Sequence, residues 1–337
     1  MKSNLSPALV TRLKENIAGP GGLHHLDLSS SNIGPKEVSD LSSCIKSNYM
    51  SCEGMAPLIS VDLSGNHICG IDFIMEGTYN GDSFHELCMS FVHMSKISRL
   101  KKLNLSRNYL DVRGFTILAH LLTNGPATID TLIIRSCGGD QHCIEKLAEA
   151  LKVNKTLAVL DMKQNHFGTK GAEYLGDALL LNPKLRQLNI SECDIDHEGM
   201  QRIARGLMGN DAIEILSMAD NNIGDAGAEH LCALLKVTKR IRNLDIAENR
   251  IGQMGVNWIS SALTTNRTLV YLGLQWNDIT NEGAAKLAEG LATNNTLRYL
   301  YIVGNYIDST GITALINGSL QGNTKPIDID LAIPHQS

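Results

Sequence analysis

Cys44, Cys52, His67 and Cys69 are the side chains of this 337-residue chain that come nearest to a metal centre. Zinc takes thiolate and imidazole, but it draws them as close pairs roughly two to five residues apart. Here the pattern is Cys-x7-Cys followed by His-x-Cys, and its halves fall in different segments, so structural cysteines are the better reading. His24-His25 offers a pH-sensitive contact, for which two solvated surface histidines are the simpler account. Asp328-x-Asp330 would set two carboxylates on one strand face, too few oxygens for a hard cation. The phosphate-cradling G-x-x-x-x-G-K, the zinc-binding H-E-x-x-H and the nucleophile motif G-x-S-x-G are all missing. The residues therefore predict no catalytic site, no metal, no cofactor and no small-molecule substrate.

Composition narrows the class further. The chain is 43% apolar and 19% charged, with a net charge of −5 and a pI near 6.1. That is far from the signature of disorder, and with no basic run it argues against nucleic acid or a polybasic membrane contact. No run of about 18 apolar residues occurs, so no spanning helix is predicted. The start, Met1-Lys2-Ser3-Asn4-Leu5-Ser6-Pro7, lacks the apolar stretch of a secretion signal. Eight irregularly spaced cysteines do not form a disulfide framework, which predicts a reducing, cytoplasmic compartment.

What positions any functional residue here is a repeat. The pattern L-x-x-L-x-L-x-x-N-x-I occurs at Leu58-Val61-Leu63-Asn66-Ile68 and at Leu269-Leu272-Leu274-Asn277-Ile279, among seven copies. Two further copies carry Cys137 and Cys193 in place of Asn, and a first copy carries Ser31. From Cys137 to Asn305 the key position recurs every 28 residues. The alternating L-x-L is a short strand with its aliphatic side chains turned inward. At the Asn the chain must turn inside the body, and an amide that both donates and accepts satisfies the backbone it strands there. An amphipathic helix follows, with Gly171, Gly199, Gly227, Gly255, Gly283 or Gly311 near its start and Asn154, Asn182, Asn266 or Asn294 near its end. Such a unit buries its apolar face only by stacking on neighbours. Strands stack about 4.8 Å apart and helices about 8–10 Å apart, so the predicted stack is an α/β solenoid bent into a horseshoe. Its parallel sheet would lie inside and its helices outside.

These motifs resemble the leucine-rich repeat family, in the ribonuclease-inhibitor-like subclass of 28-residue repeats that includes the sensor regions of NOD-like receptors and the GTPase-activating protein for Ran. The resemblance covers about residues 23–323 and implies a protein-binding scaffold. Residues 1–22 read as an N-terminal capping helix, residues 23–325 as about ten repeats, and 326–337 as a partial last strand with a tail. Two intervals are too long: seven extra residues fit near 47–56, and fourteen fit near 69–82. The second insertion is expected either to bind a partner or to cover core at its own edge.

The x positions of L-x-x-L-x-L-x-x-N, the first nine positions of the motif, project from the inner sheet and predict three zones. Lys101, Lys102, Arg107, Arg135 and Lys163 outweigh Asp130 and Asp161 in repeats three to five. Glu192, Glu214, Asp220, Asp245 and Glu248 outweigh Arg186 and Arg242 in repeats six to eight. Tyr271, Trp276, Tyr299 and Tyr301 gather with Arg298 in the last two, although the chain has only two Trp, eight Tyr and five Phe. Exposed Tyr, Trp and Arg dominate interface energetics. Tyr271, Trp276, Arg298, Tyr299 and Tyr301 are thus predicted to anchor a partner protein on the concave face. Glu192, Asp220 and Glu248, sharing one column, would steer it. Two rivals are a regulator of a Ran-like GTPase, a family that typically carries an acidic stretch not found here, and a structural subunit of a cytoskeletal or ciliary assembly.

Overall fold

The computed structural model describes residues 24–51, 58–71, 78–93, 99–125, 128–322 and 327–330. The capping helix predicted for 1–22, the tail after Asp330 and the middles of both insertions lie outside the described residues. The chain forms two compact units, Met1–Asn165 and His166–Ser337.

In the first unit, strands β1 (His25–Asp27), β2 (Ser60–Asp62), β3 (Lys102–Asn104), β4 (Thr131–Ile133) and β5 (Val159–Asp161) alternate with helices α1 (Pro35–Ser51), α2 (Asp82–His93), α3 (Asp111–Asn124) and α4 (Gln141–Val153). The second unit starts with α5 (Gly168–Leu181) and continues with β6 (Gln187–Asn189), α6 (His197–Met208), β7 (Ile215–Ser217), α7 (Gly224–Val237) and β8 (Asn243–Asp245). It ends with α8 (Gln253–Leu263), β9 (Tyr271–Gly273), α9 (Asn281–Thr293), β10 (Tyr299–Tyr301), α10 (Ser309–Gly322) and β11 (Asp328–Asp330). Strands pair in parallel and in chain order, each central aliphatic opposite the next: Leu26–Val61–Leu103–Leu132–Leu160 in one unit, Leu188–Leu216–Leu244–Leu272–Leu300–Ile329 in the other. The architecture is the α/β repeat solenoid expected, and β11 ends the strand order of the second unit.

Each helix closes the core from the other side. In α6 the buried residues Gly199, Met200, Ile203, Ala204, Gly206 and Leu207 recur at three and four, and the Asp196 carboxylate caps the helix by accepting from the Gly199 amide at 2.8 Å. Toward their C-terminal ends, helices touch backbone to backbone. A methyl group placed on Gly206 would stand 2.1 Å from the Gly176 carbonyl oxygen of α5. Gly290 and Gly318 meet the preceding helix in the same way, at 2.7 and 2.4 Å.

Asparagine binds repeat to repeat at both ends of the helix. The Asn277 amide donates to the Ile246 and Leu274 carbonyls and accepts from the amides of Asn249 and Ile251, a pattern that Asn66, Asn165 and Asn221 also follow. Cys137 retains half of it: its thiol donates to the Leu105 carbonyl at 3.3 Å. The helix-end asparagines are a second such ladder rather than left-handed caps. Asn182 and Asn294 have extended backbone (φ −87° and −85°), and Asn154 likewise. Asn294 donates to Leu263 and Asn266 carbonyls and accepts from Thr296 and Leu297. Asn210 occupies the same place after α6.

The cysteines are part of this interior. Cys69, Cys88, Cys137 and Cys143 are free and buried, and among the described residues no three His, Cys, Asp or Glu side chains gather as a metal site. Burial pushes the Cys69 and Cys137 thiols up to about 12, and Cys88 upward too. A thiol raised on folding stabilises below its unfolded pKa, near 9, and that contribution is lost as pH rises toward 12. Iodoacetamide at pH 8 should therefore leave Cys69 and Cys137 unlabelled in peptide mass spectra until urea unfolds the protein, and resistance to urea should fall above pH 9. Rapid labelling of either thiol in the native protein would contradict this.

Candidate functional site

A strand of three residues ends before the ladder position, held by Asn or by Ser31, Cys137 or Cys193, and the residue preceding that position turns the chain in the left-handed region. In the first unit these residues are Ser30, Gly65, Arg107, Ser136 and Gln164, with φ between 50° and 68°. In the second they are Glu192, Asp220, Glu248, Trp276 and Gly304, with φ between 51° and 77°. Swinging the asparagine inward to bond the backbone forces its predecessor outward. The acidic column and Trp276 therefore lie on the turns that border the sheet, not on the sheet itself as the motif alone predicts. Asp220 and Glu248 are exposed, Glu192 half-buried.

Trp276 is the bulkiest residue in this left-handed column and remains 56% exposed. Left-handed backbone is uncommon for any residue with a side chain and an outlier for a bulky one. Its indole lies against Gly304, where a methyl group would stand 2.5–2.9 Å from three ring carbons. Glycine at 304 thus serves both its own φ of 77° and the seat of the ring.

The tyrosines divide. Tyr271 and Tyr299 stand opposite one another in register, as the repeat predicts. The ring contact, however, is between Tyr271 and Tyr301, with centroids 5.1 Å apart, because Tyr301 faces Gly273, which has no side chain to hold the space. Both rings are half-buried, and burial, followed by the nearby Asp245 carboxylate, pushes the Tyr271 phenol upward, so it stays protonated. Tyr299 is 45% exposed. Arg298 is half-buried and donates to the Leu297 and Asn295 carbonyls at 2.8 and 2.9 Å, on the chain leading into β10. Its guanidinium is thus turned to backbone at the start of the strand, while Trp276 stands past the end of one.

Tyr306 is the member that the repeat pattern missed. It is 71% exposed and sits just after ladder residue Asn305. The equivalent positions in this unit hold His166, Asp194, Asn222, Arg250 and Asp278. A lone aromatic in a polar column was the available signal. Exposed aromatic surface therefore comes from Trp276, Tyr299 and Tyr306, while Tyr271 and Tyr301 pack on each other. In the first unit the basic zone is smaller than its sequence implies, since Arg135 is ion-paired with Asp161, whereas Lys101, Lys102 and Arg107 are exposed.

A leucine-rich repeat model matches residues 153–176, 181–204, 212–232, 265–288 and 293–315. Similar curated proteins include the mouse (Mus musculus) NACHT, LRR and PYD domains-containing protein 14, 35% identical over 82 residues, which are 24% of this chain and 8% of that protein. Protein 4C of the same mouse series is 30% identical over 115 residues, 34% of this chain and 11% of the relative. Human (Homo sapiens) protein 2 of the series is 29% identical over 147 residues, 37% of this chain and 14% of the relative. The chain thus matches only a small part of these relatives' length. Among solved structures, a leiomodin-1 actin-binding site 2 domain aligns at TM-score 0.38 and 21% identity, covering 45% of this chain and 87% of that one. The tropomodulin C-terminal domain of Caenorhabditis elegans aligns at 0.39 and 15%, covering 44% and 92%. Among the described residues no helix is long and apolar enough to cross a membrane.

Proposed function

Because the chain is a leucine-rich repeat protein similar to the repeats of NOD-like receptors, we propose that it is a non-enzymatic, cytoplasmic scaffold that holds a partner protein on its strand face and on the turns that border it. The anchors are Trp276, Tyr299 and Tyr306, with the packed pair Tyr271 and Tyr301 beside Tyr299. Glu192, Asp220 and Glu248 steer the approach, and Arg298 contributes to the fold of β10. The observation that carries this reading is Trp276. A bulky side chain held in left-handed backbone with more than half its surface in water costs folding free energy, and such local strain concentrates where a ligand is bound. Tyr and Trp displayed together are also the residue types that supply most binding energy at interfaces.

Affinity co-purification from the native cell tests it. The wild type is compared with Trp276→Ala/Tyr299→Ala/Tyr306→Ala, after circular dichroism and thermal melting show both to be folded. Loss of a specific partner in the variant is expected, since truncating each anchor costs about 2 kcal/mol or more. A partner set identical in the two would sink the assignment and turn attention to the 69–82 insertion.

A further inference from the structure

The chemistry of the partner follows from how Trp276 is seated. This step rests on the reading above and narrows it. The indole leans on Gly304, the next residue of its column, so one ring face is occupied and the other is left on the side of Glu248. Successive column positions are about 4.8 Å apart, so Glu248 stands one step from the ring and Asp220 two. Both carboxylates are exposed, and among the described residues neither makes an ion pair and no cation lies over the indole. Among the described residues, Arg242 and Arg250, exposed cations of the same repeat as Glu248, form no ion pair with either carboxylate.

We propose that the open face of Trp276, with Glu248 and Asp220 beside it, receives an arginine side chain presented by the partner protein. An indole face is electron-rich and attracts a flat cation, which can stack on it without losing its in-plane N–H donors. Those donors then meet a carboxylate in the bidentate geometry that guanidinium and carboxylate share. The chain already builds this arrangement internally: the Arg113 guanidinium lies 3.7 Å from the Tyr79 ring centre and is ion-paired to Asp111 at 2.7 Å. At Trp276 the ring and the acids are present, and the cation is what the partner supplies.

The chain has two tryptophans, so Trp258→Phe leaves Trp276 as its single tryptophan, excited selectively at the red edge of the absorption band where its eight tyrosines do not absorb. Full-length protein with that change is titrated with a capped Gly-Arg repeat peptide, and with matched peptides carrying lysine or citrulline, the neutral isostere of arginine. The arginine peptide should shift Trp276 emission saturably and with strong salt dependence, and citrulline should not. Asp220→Asn/Glu248→Gln should weaken the arginine peptide at least tenfold while leaving the melting temperature unchanged. Both replacements are polar, and asparagine tolerates left-handed backbone. A citrulline peptide that binds as well, an acid variant that binds equally, or no saturable change would each overturn the proposal. An equal response to lysine would overturn the choice of arginine. If the native partner is lost in the aromatic triple variant yet these peptides fail, the arginine site falls and the partner-binding surface stands.

Discussion

Gly206→Ala should destabilise the second unit by about 2–4 kcal/mol, although alanine is the better helix former by about 1 kcal/mol. The added methyl group would stand 2.1 Å from the Gly176 carbonyl oxygen, and that oxygen belongs to helix backbone that cannot rotate aside. Helices α5 and α6 must separate, which opens the packing of Leu175 and Ile203, both fully buried. Gly224→Ala is the control. Its methyl group meets nothing within 4 Å, so only the left-handed φ of 60° is strained, at about 1–2 kcal/mol. Gly176→Ala should resemble Gly206→Ala, since its methyl group would lie 2.5 Å from the Arg202 carbonyl oxygen. The pair should cost less than the sum of the two, because helices already parted by one methyl group accommodate the other. Urea unfolding of the four variants measures the order. Gly206→Ala as stable as wild type would mean that α5 and α6 are not in backbone contact.

These glycines mark where the sequence stopped being legible. Period and residue type together made the strands, the turns and the outer helices readable, since each demands a specific side chain at a fixed place. Mid-helix glycine carries a signal too, because it weakens a helix and so needs a packing reason. Yet the partner of Gly206 lies thirty residues away, and only the stacked helices reveal it. The second asparagine ladder was visible as recurring residues but not as chemistry. Helix C-terminal asparagine usually signals a left-handed cap, whereas here extended backbone turns the amide inward to carbonyls of the preceding repeat. The candidate surface was legible in its residue types and misplaced in its geometry. A pattern of nine positions assigns every x to the sheet face, but the eighth is a turn residue. Trp276 and the acids consequently stand at the border, while Arg298 turns to backbone. Tyr306 falls outside the pattern's nine positions and so escaped it.

Asn277→Ala should be at least as costly as the glycine change, at about 3–5 kcal/mol, and it should also reach the candidate surface. The side chain is buried and accepts from the amides of Asn249 and Ile251 at 3.0 Å each while donating to the Ile246 and Leu274 carbonyls at 3.1 Å. Alanine leaves those buried groups without their side-chain partner, and each buried orphan costs about 1–3 kcal/mol. Asn277→Cys should fall between, because a thiol restores a donor, as Cys137 does to the Leu105 carbonyl, but is a poor acceptor for the two amides. Amide hydrogen exchange gives the local readout: Asn249 and Ile251 should lose protection in both variants, more in the alanine. Stability unchanged in Asn277→Ala would mean that the ladder does not bind the repeats together. Trp276 precedes this residue and shares its turn, with a left-handed φ of 53°. Under conditions where Asn277→Ala is still folded, emission of Trp276 in the Trp258→Phe background should shift to the red as the indole leaves Gly304. The buried ladder and the exposed ring are then two sides of one turn, and the same amide that joins the repeats sets the aromatic face that a partner meets.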